Sequence, residues 1–191
     1  ITGLILVSCA ASYKPILPYR MSYGTLQNGG GLDYSYRYGI LTETGNKKYA
    51  NKEAKHGVKL IAIQVENTTD QEIILREHAK FYVGGKIIFP MEAKQVQQQI
   101  KQPAGAYMLW TLLWLNFTKC ENRDCTTIPL PIGLLIGLIN TGKASGANKA
   151  LYTELIANNI LDRKIAPGEK ATGLIGISSE DSLPMEIKLS R

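Results

Sequence analysis

The chain has 191 residues, 45% of them apolar and 20% charged, with a formal net charge of +6. This length fits one domain with additional segments, and the apolar share is sufficient for a packed core. The positive charge is modest, and no basic stripe is interleaved with exposed aromatic residues, so we expect no nucleic-acid binding.

The first residues point to export. An apolar run, Ile1 to Leu6, leads into Leu6-Val7-Ser8-Cys9, which resembles the lipobox of bacterial lipoproteins. The resemblance implies that residues 1–8 are a signal peptide remnant and that Cys9 carries a covalent lipid. Ala10 implies the outer membrane, since Asp at that place favours inner-membrane retention in Gram-negative lipoproteins. The alternative is a buried N-terminal strand that contains a cysteine.

Residues 9–56 read as a tether with one lead-in strand. Residues 32–41 alternate aromatic and polar side chains, which predicts a strand with Tyr34, Tyr36 and Tyr38 on one face. An exposed tyrosine row could bind sugar or a partner, but the pattern favours a row that faces the core. Residues 42–56 are polar and charged, which predicts a loop.

Two later regions are predicted to be β-structure. Residues 58–66 form the clearest strand, with Ile61, Ile63 and Val65 in register. Residues 79–89 fit a hairpin with Gly84-Gly85 as its turn. Further strands are predicted in the tail, at 160–165, 171–177 and 185–189.

These strands carry a second resemblance. Residues 65–69 (Val-Glu-Asn-Thr-Thr), the Pro167-Gly168-Glu169 turn and the strand at 173–177 are similar to elements of extracytoplasmic immunoglobulin-like β-sandwiches. With the lipobox, the chain resembles a Bacteroidota-like outer-membrane lipoprotein. The implied fold is mainly β with an α insertion: an immunoglobulin-like sandwich over 57–191 that carries a helical insert at 91–157.

The insert is expected to contain a helical hairpin. Residues 92–102 favour a polar helix, whereas 106–117 and 128–139 are apolar on almost every side. Cys120 and Cys125 lie between the two apolar runs, and an exported chain favours a disulfide that staples their loop. Residues 140–148 are predicted to be a connection and 147–155 a short amphipathic helix.

Four residues in the insert are candidates for partner or membrane contact. Trp110 and Trp114 are one helical turn apart, and the Gly133–Gly137 spacing lets another helix approach closely. Twelve helical residues rise about 18 Å, short of a hydrocarbon core of roughly 30 Å. The hairpin therefore packs on its own domain, docks into a partner protein or dips into one lipid leaflet.

No catalytic or cofactor motif is found in the sequence. His56 and His78 read as surface residues, and neither has a metal-ligand spacing to the cysteine pair. We therefore expect no enzyme activity, no metal and no cofactor beyond the Cys9 lipid. Asp181-Ser182-Leu183 resembles the O-glycosylation acceptor of Bacteroidota, which makes Ser182 a candidate modification site.

The sequence thus predicts a non-enzymatic, lipid-anchored accessory or structural subunit of an outer-membrane protein complex. Its partners would be the outer membrane and other envelope proteins, on the periplasmic or the cell-surface face. The alternative is a cell-surface glycan- or peptide-binding module that uses the tyrosine row.

Overall fold

The computed structural model describes residues 9–121 and 124–190. The predicted signal remnant at 1–8 lies outside the described residues. The described chain forms two compact units: a β unit, residues 14–101 and 150–190, and an insert unit, residues 9–13 and 102–149.

The secondary structure is a mixture of helices and short antiparallel strands. The strands are β1 (Gln27–Asn28), β2 (Leu32–Arg37), β3 (Val58–Asn67), β4 (Ile73–Ile74), β5 (Ala79–Val83), β6 (Lys86–Ile88), β7 (Leu115–Glu121), β8 (Asp124–Leu130), β9 (Lys164–Ile165), β10 (Lys170–Ser178) and β11 (Met185–Leu189). The α-helices are α1 (Ile40–Glu43), α2 (Lys47–His56), α3 (Leu75–His78), α4 (Ala93–Ile100) and α5 (Ile132–Ala157), and two 3₁₀ helices span Pro18–Arg20 and Ala104–Leu112.

Two antiparallel sheets share one apolar core in the β unit. The larger sheet has the order β1-β2-β3-β10, and the smaller has the order β11-β5-β6. Ile61, Ile63 and Val65 of β3 lie in this core with Phe81 of β5 and Ile187 of β11, as the period-two pattern predicts. The hairpin prediction is also confirmed, since Gly84 and Gly85 both have positive φ between β5 and β6.

Helices α2 and α4 pack against the larger sheet on the face away from this core. Leu60 of β3 is fully buried, and its backbone N–H donates to the Glu53 carboxylate of α2 at 2.6 Å. Burial raises the pKa of Glu53. Gly176 of β10 faces Val96 of α4 so closely that an added methyl group would overlap the valine side chain.

The turn elements behind the sandwich resemblance are joined by Asn67. Its backbone N–H donates to the Glu169 carbonyl at 3.1 Å, and its own carbonyl accepts from the Gly168 N–H at 2.8 Å. Its side-chain amide donates to the carbonyls of Gln71 at 2.7 Å and Ile165 at 3.0 Å. The end of β3 and the 166–169 turn are therefore one hydrogen-bonded unit.

The predicted emphasis on β-structure is only partly right, because 36% of the structure is helical and 33% is strand. Residues 47–56, predicted to be part of a loop, form α2. That helix buries Tyr49 and Glu53, which are four residues apart on one face. It ends at Gly57, whose φ of 60° lies in the left-handed region.

The predicted helical hairpin is wrong. The first apolar run is a 3₁₀ helix followed by β7, and the second begins as β8 and becomes helical only at Ile132. Pro129 and Pro131 are incompatible with a helix interior, and the β-branched residues at 126–128 favour a strand. The disulfide prediction is confirmed: Cys120 and Cys125 are bonded, directly across the β7–β8 ladder.

The predicted connection at 140–148 is also wrong, since α5 runs through it. Ala144 and Ala147 are buried there, and Asn140 and Asn148 make the hydrogen bonds described below. These tertiary contacts outweigh the cost of Gly142 and Gly146 in the helix, about 1 kcal/mol each.

Candidate functional site

The insert unit carries an extended exposed apolar surface. Most of the large hydrophobic side chains that are exposed in the described part of the chain lie between residues 108 and 139. We define the apolar surface as Met108, Leu109, Leu112, Leu113, Trp114, Leu115, Phe117, Ile128, Leu130, Leu134, Leu135, Leu138 and Ile139. Exposure of so many large apolar side chains in one unit is unusual for a surface that faces only water, and large exposed apolar patches are typical of interaction sites.

The apolar surface rests on close packing between α5 and the 3₁₀ helix 104–112. The Gly133 N–H donates to the Leu113 carbonyl at 3.0 Å. A methyl group added at Gly133 would overlap the carbonyl oxygen of Trp110, and one added at Gly137 would come within 3.1 Å of the Tyr107 carbonyl oxygen. The Gly133–Gly137 spacing therefore lets α5 and the 3₁₀ helix approach closely within the insert unit, and this contact buries both glycines.

The exposed leucines of α5 lie on the side of the helix away from these glycines. Leu134, Leu135, Leu138 and Ile139 fall within an arc of about 140° at 100° per residue. Leu135 is 65% exposed and Ile139 58%. Beside them, Ala106, Leu109, Trp110, Leu112 and Leu113 line an open apolar concavity of about 490 Å³.

The β7–β8 hairpin has one apolar and one polar face. Its register sets Leu115 opposite Leu130 and Phe117 opposite Ile128, so these four side chains share a face. The other face carries the Thr118 and Thr127 hydroxyls, 2.9 Å apart, and the disulfide. Every described residue of the two strands is exposed.

The described charged residues of this region, Lys119, Glu121 and Asp124, lie at the hairpin tip. Between Lys101 and Lys143 the sequence holds only four charged residues, Lys119, Glu121, Arg123 and Asp124. Lys119 pairs with Glu121 at 3.2 Å, and both are largely exposed. The apolar surface itself therefore has no ionised group.

Side-chain amides hold the segment after Cys9 against the insert unit. The Ala10 N–H donates to Asn140 Oδ1 at 2.7 Å. The Gln102 amide accepts from the Ala11 N–H at 3.0 Å and donates to the Ala11 carbonyl at 2.8 Å. Asn148 in turn bonds both backbone polar groups of Gln102, at 2.8 and 2.9 Å. We call these three residues, Gln102, Asn140 and Asn148, the amide clamp.

The amide clamp fixes the position of Cys9. Ala10 is 3% exposed and packs with Tyr107 and Ala144, whereas Cys9 is exposed and lies outside the disulfide. The sequence predicts a tether directly after Cys9, but the next two residues, Ala10 and Ala11, are held by hydrogen bonds to Asn140 and Gln102. The candidate lipid attachment point and the apolar surface therefore belong to one structural unit.

The two tryptophans occupy different positions from those predicted. Trp110 lies in the 3₁₀ helix and packs against Tyr107 and Ala144. Trp114 lies between that helix and β7 and is 56% exposed. They do not share one α-helical face, because the helix ends at Leu112.

The tyrosine row faces inward, as the pattern favours. Tyr34 is buried, and Tyr36 and Tyr38 pack against the core of the β unit. The Tyr34 hydroxyl donates to Gln27 at 2.8 Å, the Tyr38 hydroxyl donates to the Leu183 carbonyl at 2.8 Å, and the Tyr36 hydroxyl accepts from the Met185 N–H at 3.0 Å. Burial raises the pKa of Tyr38 to about 12. These rings are structural and form no open sugar platform.

Other candidate residues are dispersed. His56 ends α2, and His78 Nδ1 lies 2.9 Å from the Ile74 nitrogen. Ser182 is exposed in the loop between β10 and β11, where a modifying enzyme could reach it. Within 9–121 and 124–190, no cluster of three or more His, Cys, Asp or Glu residues could hold a metal ion.

The β unit carries an apolar groove. A groove of about 160 Å³ lies along β6, the edge strand of the smaller sheet. Phe81, Ile87, Ile88, Phe89 and Pro90 supply most of its apolar lining, and Phe89 is 82% exposed. We call this the β6 groove.

No helix in the described part of the chain is both long and apolar enough to span a bilayer. Comparisons with protein-family models, curated proteins and solved structures found no match to this chain. The residues that sequence reasoning missed are those of the amide clamp. The available signal was the spacing of Asn140 and Asn148, which lie eight residues apart at the two ends of a segment rich in small residues, 141–147.

Proposed function

We propose that this chain is a non-enzymatic lipoprotein, anchored by a lipid on Cys9 and serving as an accessory or structural subunit of an outer-membrane protein complex. The observation that carries the proposal is the position of Cys9. It is exposed, and it immediately precedes a segment clamped to the unit that carries the apolar surface. The order Leu-Val-Ser-Cys and the small residue Ala10 support lipidation at this sulfur.

We infer that the β unit has an immunoglobulin-like sandwich fold. Two antiparallel sheets around one core and the Asn67 link to the 166–169 turn support this assignment. The helices on the outer face of the larger sheet would then be additions to the sandwich.

Membrane fractionation in the native host tests the proposed function. The wild-type chain should sediment with outer membranes and be released by detergent but not by high salt. The Cys9→Ser variant should be recovered with outer membranes in clearly smaller amount than wild type, and Ser182→Ala, also an exposed residue, should behave as wild type. Recovery of Cys9→Ser with the outer membrane in the same amount would argue against the lipid anchor.

Cross-linking tests the subunit assignment. A chain that serves a complex should give discrete adducts with other envelope proteins. The subunit assignment would be contradicted if no adduct formed with cross-linkers of several lengths and the protein were monomeric after mild detergent extraction.

A second candidate, a cell-surface peptide-binding module, is favoured by the β6 groove. An extended peptide can add to an edge strand, with side chains seated in an adjoining apolar groove. Selection from a displayed peptide library should then yield binders that the Phe89→Ala variant no longer retains. Leu26→Ala, another exposed hydrophobic position of the β unit, is the matched control.

A further inference from the structure

We propose that the apolar surface docks into the acyl layer of the membrane leaflet that holds the Cys9 lipid, with α5 and the 3₁₀ helix 104–112 entering and the hairpin tip remaining among the head groups. This inference deepens the proposed function and rests on it for the choice of membrane. It identifies the surface's occupant as lipid rather than a protein.

The chemistry of the helical part favours lipid. Protein interfaces usually contain about one hydrogen bond per 100–200 Å², but this part of the apolar surface offers almost none. Its side chains are Leu, Ile, Met and Trp. The Thr111 hydroxyl is already bonded to the Met108 carbonyl at 2.7 Å. Beyond the first turn, helical backbone N–H groups are satisfied within their own segment, which favours entry into hydrocarbon. In the first turn of α5, the Gly133 and Leu134 N–H groups donate to the Leu113 and Pro131 carbonyls at 3.0 and 3.1 Å.

Only the base of the hairpin, which continues into α5 at Ile132, is suited to hydrocarbon. A two-stranded ladder has two open edges, and unpaired backbone groups are costly in hydrocarbon. Its apolar side chains lie at the base, whereas Lys119, Glu121 and Asp124 lie at the tip. This gradient matches the change from acyl chains to hydrated head groups.

The dimensions fit one leaflet. The apolar part of α5, residues 132–139, is about 12 Å long, and one leaflet contributes about 15 Å of hydrocarbon. Further along α5, the same face carries Gly142, Ser145 and Gly146 in place of leucines. Lys143 is exposed in the same turn of the helix. Lys143 is placed to meet lipid phosphates, as basic residues at membrane boundaries do.

The amide clamp holds the attachment point beside this surface. Asn140, which binds the residue after Cys9, directly follows Ile139 of the apolar surface. A lipid on Cys9 therefore enters the leaflet close to the point where α5 meets it. Two contacts with one leaflet reinforce each other, because the first raises the effective concentration of the second.

Tryptophan fluorescence in vesicles tests the docking. Both tryptophans of the chain, Trp110 and Trp114, lie in the insert unit. The full chain with Cys9→Ser is mixed with vesicles of phosphatidylethanolamine and phosphatidylglycerol that carry brominated acyl chains. We expect quenching of the fluorescence, and about tenfold or greater loss of partitioning in Leu135→Asn/Leu138→Asn. Leu26→Asn/Ile156→Asn, a matched pair of exposed positions on the β unit, should partition as the parent does.

Leu112→Asn on the 3₁₀ helix serves as a second variant outside α5, and circular dichroism checks that each variant keeps its helix content. Absence of quenching, or equal partitioning of parent and α5 variant, would overturn the docking. So would cross-links from positions 135 and 138 to protein alone in host membranes. If docking fails while Cys9 is lipidated in the host, the anchor stands. If Cys9 is unmodified while quenching is seen, the lipid anchor is lost and the vesicle docking remains.

Discussion

Buried polar side chains with several hydrogen bonds join segments of this chain that are far apart in the sequence. Asn67 closes the end of β3 against two later segments, and the amide clamp does the same for the residues after Cys9. Asn67 belongs to the 65–69 element of the sandwich resemblance, and in the structure it is the last residue of β3. Its bonds to Ile165 and Glu169 depend on residues about a hundred positions away and were not predictable from local pattern.

Asn67→Ala should lower the free energy of unfolding by about 2–3 kcal/mol. The substitution removes the amide donor to the buried Ile165 carbonyl and leaves the Gln71 carbonyl only the Thr69 hydroxyl, and an unsatisfied buried group costs about 1–3 kcal/mol. Urea unfolding measures the loss. Thr68→Ala, at the neighbouring exposed position, should change stability by less than about 0.5 kcal/mol. Equal effects at the two positions would contradict the role of Asn67.

Glu53 should make the β unit less stable as pH rises. Because burial raises its pKa in the folded state, the folded chain holds this proton more firmly than the unfolded chain does. Stability therefore falls as pH rises from the ordinary glutamate pKa through the raised one, and stays lower above it.

Glu53→Gln keeps an oxygen for the Leu60 N–H and removes the titration. Its stability should lack this pH-dependent fall and exceed that of the wild type at neutral pH. Urea unfolding across a pH series measures the difference. Parallel curves for the two proteins would show that Glu53 contributes no pH dependence.

Among the secondary-structure elements, strands with a period-two pattern were predicted correctly from the sequence. The elements formed by continuous apolar runs were not. Strand β3, the β5–β6 hairpin, β10 and β11 follow from alternation and from the Gly84-Gly85 turn. The run at 106–117 has no period, so length and composition suggested a helix. Residues 115–121 instead pair with 124–130 as a β-hairpin. Pro129 was the local sequence feature that disfavoured a helix.

Gly133 and Gly142 of α5 should respond in opposite directions to alanine. Gly133→Ala forces α5 away from the 3₁₀ helix and should destabilise the insert unit by about 1–3 kcal/mol, although alanine favours helices. Gly142 has no atom near an added methyl, so Gly142→Ala should stabilise by about 0.5–1 kcal/mol. Hydrogen exchange of α5 amides measures both effects, and stabilisation by both substitutions would refute the packing assigned to Gly133.

At the scale of the whole molecule, two units have different surfaces. The β unit buries its apolar strands in one core, whereas the insert unit leaves a large apolar surface exposed. The sequence indicated the apolar excess of this region and its place in the chain. It did not indicate that residues 10 and 11 join the same unit, because that depends on Asn140 and Gln102.

The joint position of Cys9 and the apolar surface is the basis of the proposed membrane role. The mass of the N-terminal peptide, taken from protein made in its native host, tests this most directly. We expect a peptide that begins at Cys9 and carries a diacylglyceryl group on sulfur and an acyl chain on the amine. A peptide with an unmodified Cys9 thiol and residues 1–8 still attached would contradict the account.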